Sequence, residues 1–165
     1  MRPARFAVLA TLLLAACSGP QPRRTPAAVP RYIPARPGMA SANDILFRAI
    51  GLVGTPYRWG GNTPDSGFDC SGLIDYVFRD VAGVSLPRMV QDIYAVNLAS
   101  IAQERLQGGD LVFFQTFGDG ASHIGIYVGQ GRFVHAPNEG GTVRLDLLSN
   151  PYWSKHYVGA RRVPL

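Results

Sequence analysis

Apolar positions recur at two different spacings along the chain, and the change from one to the other divides it. In "SANDILFRAIGLV", residues 41–53, Ile45, Leu46, Ala49, Ile50 and Val53 fall three and four apart, as on one helix face. Ser41 with Asp44 three residues later makes an N-terminal cap, and Gly54 is expected to stop the helix. A second helix is predicted to start at Cys70, with Leu73, Ile74, Val77, Phe78 and Val81 on its apolar side and Gly83 at its end. "LPRMVQDIYAV" predicts a third, shorter helix after Pro87. Beyond it the texture changes. "GDLVFFQ", "SHIGIYVG", "GRFVHA", "GTVRLDL" and "HYVGARRV" are short runs rich in β-branched and aromatic residues, divided by glycines, and each predicts a strand. Helices first and strands afterwards predict an α+β domain with an antiparallel sheet.

The N-terminal part fits neither spacing. "MRPARFAVLATLLLAA", residues 1–16, has two arginines and then an apolar run far shorter than the ~20 residues of a membrane-spanning helix, so it reads as an export signal. The run ends in "LAAC", which resembles a bacterial lipoprotein signal. That resemblance implies cleavage before Cys17, which becomes a lipidated N-terminus, a firm anchor because it brings more than one acyl chain. By the same resemblance Ser18, in place of an aspartate, points to the outer membrane of a Gram-negative envelope, facing the periplasm. Residues 17–40 hold Pro20, Pro22, Pro26, Pro30, Pro34 and Pro37 and no acid, and predict an extended, unpacked tether with a reach of roughly 70 Å. The folded domain is expected over residues 41–165.

Charge adds one exclusion. The net charge is +5, but six of the sixteen Lys and Arg lie before residue 37, where there is no acid; the remaining ten face all eleven Asp and Glu. The predicted domain is not basic, and nucleic acid is not an expected partner. Asp65, Asp75 and Asp80 read as surface charges, and Trp59 reads as a packing residue.

Cysteine usage points to chemistry. Exported domains pair their cysteines, yet with Cys17 claimed by lipid, Cys70 stands alone. A leftover cysteine in such a chain is either a reactive thiol or a buried small apolar group. Cys70 sits in "GFDCSG" at a predicted helix start, where unpaired N–H groups and the helix dipole favour a thiolate. A hairpin at "GQG", residues 129–131, sets residues 124 and 134, or a pair close to them, opposite each other. His123 and His135 then fall at the same end of the ladder. A thiolate, a base and a group orienting that base form the general pattern of nucleophilic catalysis.

Taken together, "TPYRWGG", "GFDCSGLIDYVF", "LPRMVQD", "GDLVFF", "SHIGIYVG" and "FVHA" resemble the NlpC-type cell-wall endopeptidases, papain-like cysteine hydrolases of peptidoglycan, over roughly residues 41 to 160. The resemblance implies N-terminal helices packed on a central antiparallel sheet of about five to six strands. It implies that Cys70 is the nucleophile, His123 its base and His135 the group orienting that base, and that the Cys70 N–H and the Tyr57 hydroxyl hold the oxyanion. Asp69 and Ser71 become candidate substrate contacts or braces of the loop, Arg58 a candidate substrate contact, and Gly60, Gly61 and Gly72 sites of close backbone packing. The implied substrate is a peptidoglycan stem peptide or crosslink, cut next to diaminopimelate without metal or cofactor; no particular adaptor protein is indicated. Competing readings are a non-catalytic wall-binding scaffold on the same fold, an amidase or acyltransferase using the same thiol, and a zinc site built from Cys70, His123 and His135. His156 has no assigned role beyond structure.

Overall fold

A computed structural model describes residues 32–35, 38 and 40–165; the predicted leader and Cys17 lie outside the described residues. Ser41 caps helix α1, Ala42–Ile50, and forms the expected reciprocal capping box with Asp44. The helix stops at Gly51, three residues before the glycine expected to end it. The cause is a competing partner: Gly54 N–H donates to the Val143 carbonyl at 2.9 Å, and Val143 N–H returns a bond to Thr55 at 2.8 Å. This detour brings Leu52 into the core with Ile45 and Ala49, while Ile50 and Val53 stay exposed.

Helix α2, Cys70–Ala82, begins and ends where the sequence predicts. Asp69 accepts from the Gly72 N–H at its start, and Gly83 closes it in the left-handed conformation at φ 66°. Leu73, Ile74, Val77 and Phe78 are fully buried along it. Helix α3 is the short Val90–Ala95, after Pro87. A two-residue hairpin, β1 (Asn62–Thr63) with β2 (Gly67–Phe68), precedes α2.

The remaining strands form one antiparallel sheet of six. They are β3 (Ala99–Ile101), β4 (Leu111–Phe114), β5 (His123–Gly129), β6 (Arg132–His135), β7 (Arg144–Leu147) and β8 (Tyr157–Arg162), in the spatial order β3-β8-β4-β5-β6-β7. Helix α4, Pro151–His156, connects β7 to β8. The five predicted strands are all present; β1, β2, β3 and α4 are too short to leave a periodic signal. "LVFF" reads as an unbroken apolar run because the sheet is covered on both faces. Leu111 and Phe113 join the helix-side core with Leu73, Phe78 and Ile124, and Val112 and Phe114 join a second cluster with Phe133 and Trp153.

Three expectations need correction. Asp75 is not a surface charge: it is 4 % exposed, and its carboxylate accepts from the Leu86 N–H at 3.0 Å and from Arg79 at 2.7 Å, tying the chain after α2 back to the helix. Asp65 and Asp80 are exposed as expected, with Asp80 paired to Arg48 at 2.8 Å. Trp59 does not pack; it is 82 % exposed. The end of the Pro-rich segment is not unpacked either. Ile33 and Ser85 exchange backbone hydrogen bonds at 3.0 and 3.1 Å, and Tyr32 and Ala35 lie against the core. No helix among the described residues is long and apolar enough to cross a membrane.

Two glycines let the loop before α2 lie directly on the helix. A Cβ at Gly72 would run into the Gly61 carbonyl, and one at Gly61 would run into the Gly67 carbonyl. Gly60 differs: its φ of 73° marks a turn, with open space beside it. Gly72→Ala is expected to cost about 2 kcal/mol of unfolding free energy, within the range of overpacking a close contact, as measured by urea denaturation.

Candidate active site

The start of α2 carries Cys70 in a braced corner. Asp69 Oδ1 accepts from the Gly72 N–H at 2.6 Å. Its Oδ2 accepts from the Gly60 N–H at 2.9 Å and from Arg88 Nη2 at 2.8 Å. The Ser71 hydroxyl, near the carboxylate at 3.1 Å, lies closer still to the Arg88 carbonyl, at 2.6 Å. One carboxylate therefore joins the helix start, the glycine loop and the segment before α3. Of the two roles expected for Asp69 and Ser71, the bonds here are those of the brace: Ser71 is 5 % exposed and its hydroxyl is engaged inside the protein. Arg58 is exposed and makes no ion pair among the described residues. The Tyr57 N–H donates to Gly141 at 2.8 Å. Burial raises the Tyr57 hydroxyl above its usual pKa, with further upward pushes from Cys70, Asp69 and Glu139, so this phenol near the thiol remains a hydrogen-bond donor.

The second group lies on the sheet. The hairpin register pairs Ile126 with Val134 and Tyr127 with Phe133, with a bulge before Gly129. His135 thus faces position 125, not 123, and meets His123 along the diagonal of the ladder. Gly125 makes this contact feasible, because a Cβ there would press on His135 Cβ and the Phe133 ring. The result is a ring-to-ring contact of 2.8 Å between His123 Nε2 and His135 Nδ1. His123 is 4 % exposed and His135 is fully buried. Trp153 stacks on His123, with ring centroids 5.3 Å apart and planes at 25°, and stands edge-on to His135 at 4.8 Å.

Beyond His135 lies a carboxylate that the sequence reading passed over. His135 Nε2 is 2.9 Å from Asp146 Oδ2, and the same oxygen accepts from Trp153 Nε1 at 2.9 Å and from Arg144 Nη2 at 3.1 Å. Only the pairing of β6 with β7 brings Asp146 there. Its one sequence signal is an aspartate inside a strand-type run, where that residue type is depleted. His156 takes no part; its Nδ1–H donates to the Tyr152 carbonyl at 2.6 Å.

The two groups ride on elements in contact, since α2 packs against β5. They do not form a metal site. No three His, Cys, Asp or Glu among the described residues are placed to hold an ion, and the facing nitrogens of the two imidazoles are spent on each other.

Protonation departs from the thiolate expected at a helix start. Burial pushes the Cys70 thiol up to about 11, Asp69 adds to the rise, and the N–H groups at the helix start with Arg88 offset only part of it. The dipole acts in the expected direction, but desolvation outweighs it. Burial likewise pulls His123 down to about 3, aided by His135, and His135 down to about 4 against the upward pull of Asp146. Near neutral pH the thiol and both rings are uncharged. A raised thiol pKa means that the thiolate fraction keeps growing with pH where an ordinary thiol has levelled off. Iodoacetamide labelling of the Cys70 peptide, followed by mass spectrometry, is therefore expected to be slower at pH 7 than for a small free thiol and still rising above pH 9. A flat, fast rate between pH 5 and 8 would contradict it.

Residues 54–162 match the NlpC/P60 family. The chain is 48 % identical over 113 residues to the murein DD-endopeptidase MepH of Escherichia coli, covering 67 % of this chain and 42 % of that protein. It is 39 % identical over 132 residues to the bifunctional muramidase/DL-endopeptidase CwlT of Bacillus subtilis, covering 79 % and 39 %. The aligned region is thus less than half the length of either relative. Among solved structures, an NlpC/P60 family protein from Bacillus cereus superposes with a TM-score of 0.69 at 32 % identity, over 80 % of this chain and 42 % of that one. A Staphylococcus aureus protein described as similar to lipoprotein, NLP/P60 family, gives 0.65 at 41 % identity, over 75 % and 41 %. The helices-then-sheet order is the papain-like fold of these neighbours, and the chain belongs to the NlpC/P60 family.

Proposed function

We propose that this chain is a cysteine endopeptidase that hydrolyses amide bonds in peptidoglycan stem peptides or crosslinks next to diaminopimelate. The reading is carried by one arrangement: a lone thiol on the first residue of a helix packed against the strand whose first residue, His123, is bonded to a second buried imidazole. Cell-wall endopeptidase names among the relatives support it.

In this mechanism Cys70 Sγ attacks the amide carbon while His123 takes the thiol proton at Nδ1, the ring nitrogen that His135 leaves open. Because thiol and imidazole rest uncharged, proton transfer accompanies attack and does not precede it. The Cys70 N–H and the Tyr57 hydroxyl donate to the developing oxyanion. The imidazolium then protonates the leaving amine as the C–N bond breaks, and water, deprotonated by the same ring, hydrolyses the thioester to a free carboxylate and restores the thiol. The names of the relatives divide between DD and DL bonds. We take the shared chemistry, an amide beside diaminopimelate, as the substrate class.

The chain is further read as lipid-anchored through Cys17, held by the Pro-rich segment at the outer membrane and facing the periplasm. "LLAAC" with Ser18 supports this reading, as does the description of the S. aureus neighbour as similar to lipoprotein.

Purified muropeptides digested by the wild-type chain and resolved by mass spectrometry are expected to show one new class of cleaved stem peptide. Cys70→Ala should lose this cleavage by a factor of about 1,000 or more while keeping its thermal transition; full cleavage by that variant would end the proposal. Cells fed labelled palmitate should incorporate it into the wild-type chain and not into Cys17→Ser, and equal labelling would remove the anchor.

A further inference from the structure

Two neutral imidazoles joined ring to ring carry two protons between them, and those protons have two arrangements. In one, His123 holds its proton on Nε2 and donates to a bare His135 Nδ1. In the other, His135 donates from Nδ1 and the His123 proton sits on Nδ1. Only the first leaves His123 with a bare Nδ1, the nitrogen that the proposed mechanism needs as base. The 2.8 Å contact is compatible with either.

The choice is made at the far end of the pair. Asp146 Oδ2 receives the indole N–H of Trp153 at 2.9 Å and the Arg144 guanidinium from Nε at 3.2 Å and Nη2 at 3.1 Å. Both neighbours only donate. Burial works to raise the Asp146 pKa, but the bonds from Trp153, His135 and Arg144 outweigh it and hold the group below its ordinary value. An ionised carboxylate can only accept, so the proton of neutral His135 must lie on Nε2, 2.9 Å from Oδ2. Its Nδ1 is then bare, the proton between the rings belongs to His123 Nε2, and His123 Nδ1 is bare in turn. We infer that Asp146, held by Arg144 and Trp153, sets the tautomer of both imidazoles and is a positioning residue for the base two groups away. The inference rests on the reading of His123 as base for Cys70.

Two substitutions separate the acceptor from its charge. In Asp146→Asn the two fixed donors keep the amide oxygen where Oδ2 was, so the acceptor and the tautomers survive while the charge is lost. This differs from a triad aspartate free to turn its amide toward the ring, where the same change installs the wrong tautomer. In Asp146→Leu the acceptor is gone. Trp153 and Arg144 then find their nearest acceptor in a bare His135 Nε2, which moves both protons to Nδ1 and blocks the base.

The test is ¹⁵N NMR of histidine-labelled protein at pH 7, alongside kcat and KM on purified muropeptides. The wild type and Asp146→Asn are expected to show His123 with a bare Nδ1 and a protonated Nε2, and Asp146→Leu the reverse. The leucine variant should lose kcat on the order of 100-fold with KM little changed, the size of a lost general base, and the asparagine variant about tenfold or less. A wild-type His123 protonated on Nδ1 overturns the inference without need of any variant. So does a folded leucine variant that keeps the wild-type pattern or the wild-type kcat. The NMR readout does not depend on turnover: if Cys70→Ala still cleaves, the enzymatic reading fails while the tautomer result stands on its own.

Discussion

Everything in the site depends on two imidazoles being kept dry. A charged imidazole inside the Phe114, Phe133 and Trp153 cluster would have to give up its hydration, so burial drives both rings to the neutral form across the physiological range. Neutrality is what permits one ring to donate to the other, since two imidazolium ions 2.8 Å apart would repel. Burial against the helix-side core keeps the thiol protonated as well. The thiol and the two rings thus rest without charge on any of them.

Holding such groups in register takes more than the residues that react. Gly125 leaves the space through which His135 leans toward His123. Asp69 spends both oxygens on the corner from which Cys70 projects, and Gly61 and Gly72 let that corner close. These are backbone and bracing roles, and they explain why a motif such as "GFDCSG" is so tightly composed around a single thiol.

How much of this was legible beforehand depends on the distance over which the information is stored. Ser41 and Gly83 act within one helical turn of their helices, so those helices are legible from local pattern. The five longer strands were legible for the same reason. The hairpin at residues 129–131 was legible as a turn, but the bulge before Gly129 shifted its register, so the two histidines meet diagonally. The α1 terminus was misread because Gly54 bonds to Val143, which lies far along the chain. Asp75 was misread because its partner, the Leu86 N–H, lies on a loop whose path no periodicity reveals. Asp146 is the deepest case: its part in the site exists only through pairing between β6 and β7. The thiol differs for another reason: the helix start lies where the local pattern puts it, but desolvation there outweighs the dipole, and that balance depends on tertiary burial.

The placement of Asp146 has a consequence for how the molecule wears under stress. Strand β7 is the outermost of the six and is laddered on one side only, by β6. Local openings cost anything from almost nothing up to the full free energy of unfolding, and an edge strand has only one ladder of bonds to break. An opening of β7 alone would uncouple the carboxylate from the rings without breaking the inner ladders. The carboxylate at the far end of the imidazole pair is therefore carried on the sheet's margin, while the imidazoles themselves sit on inner strands.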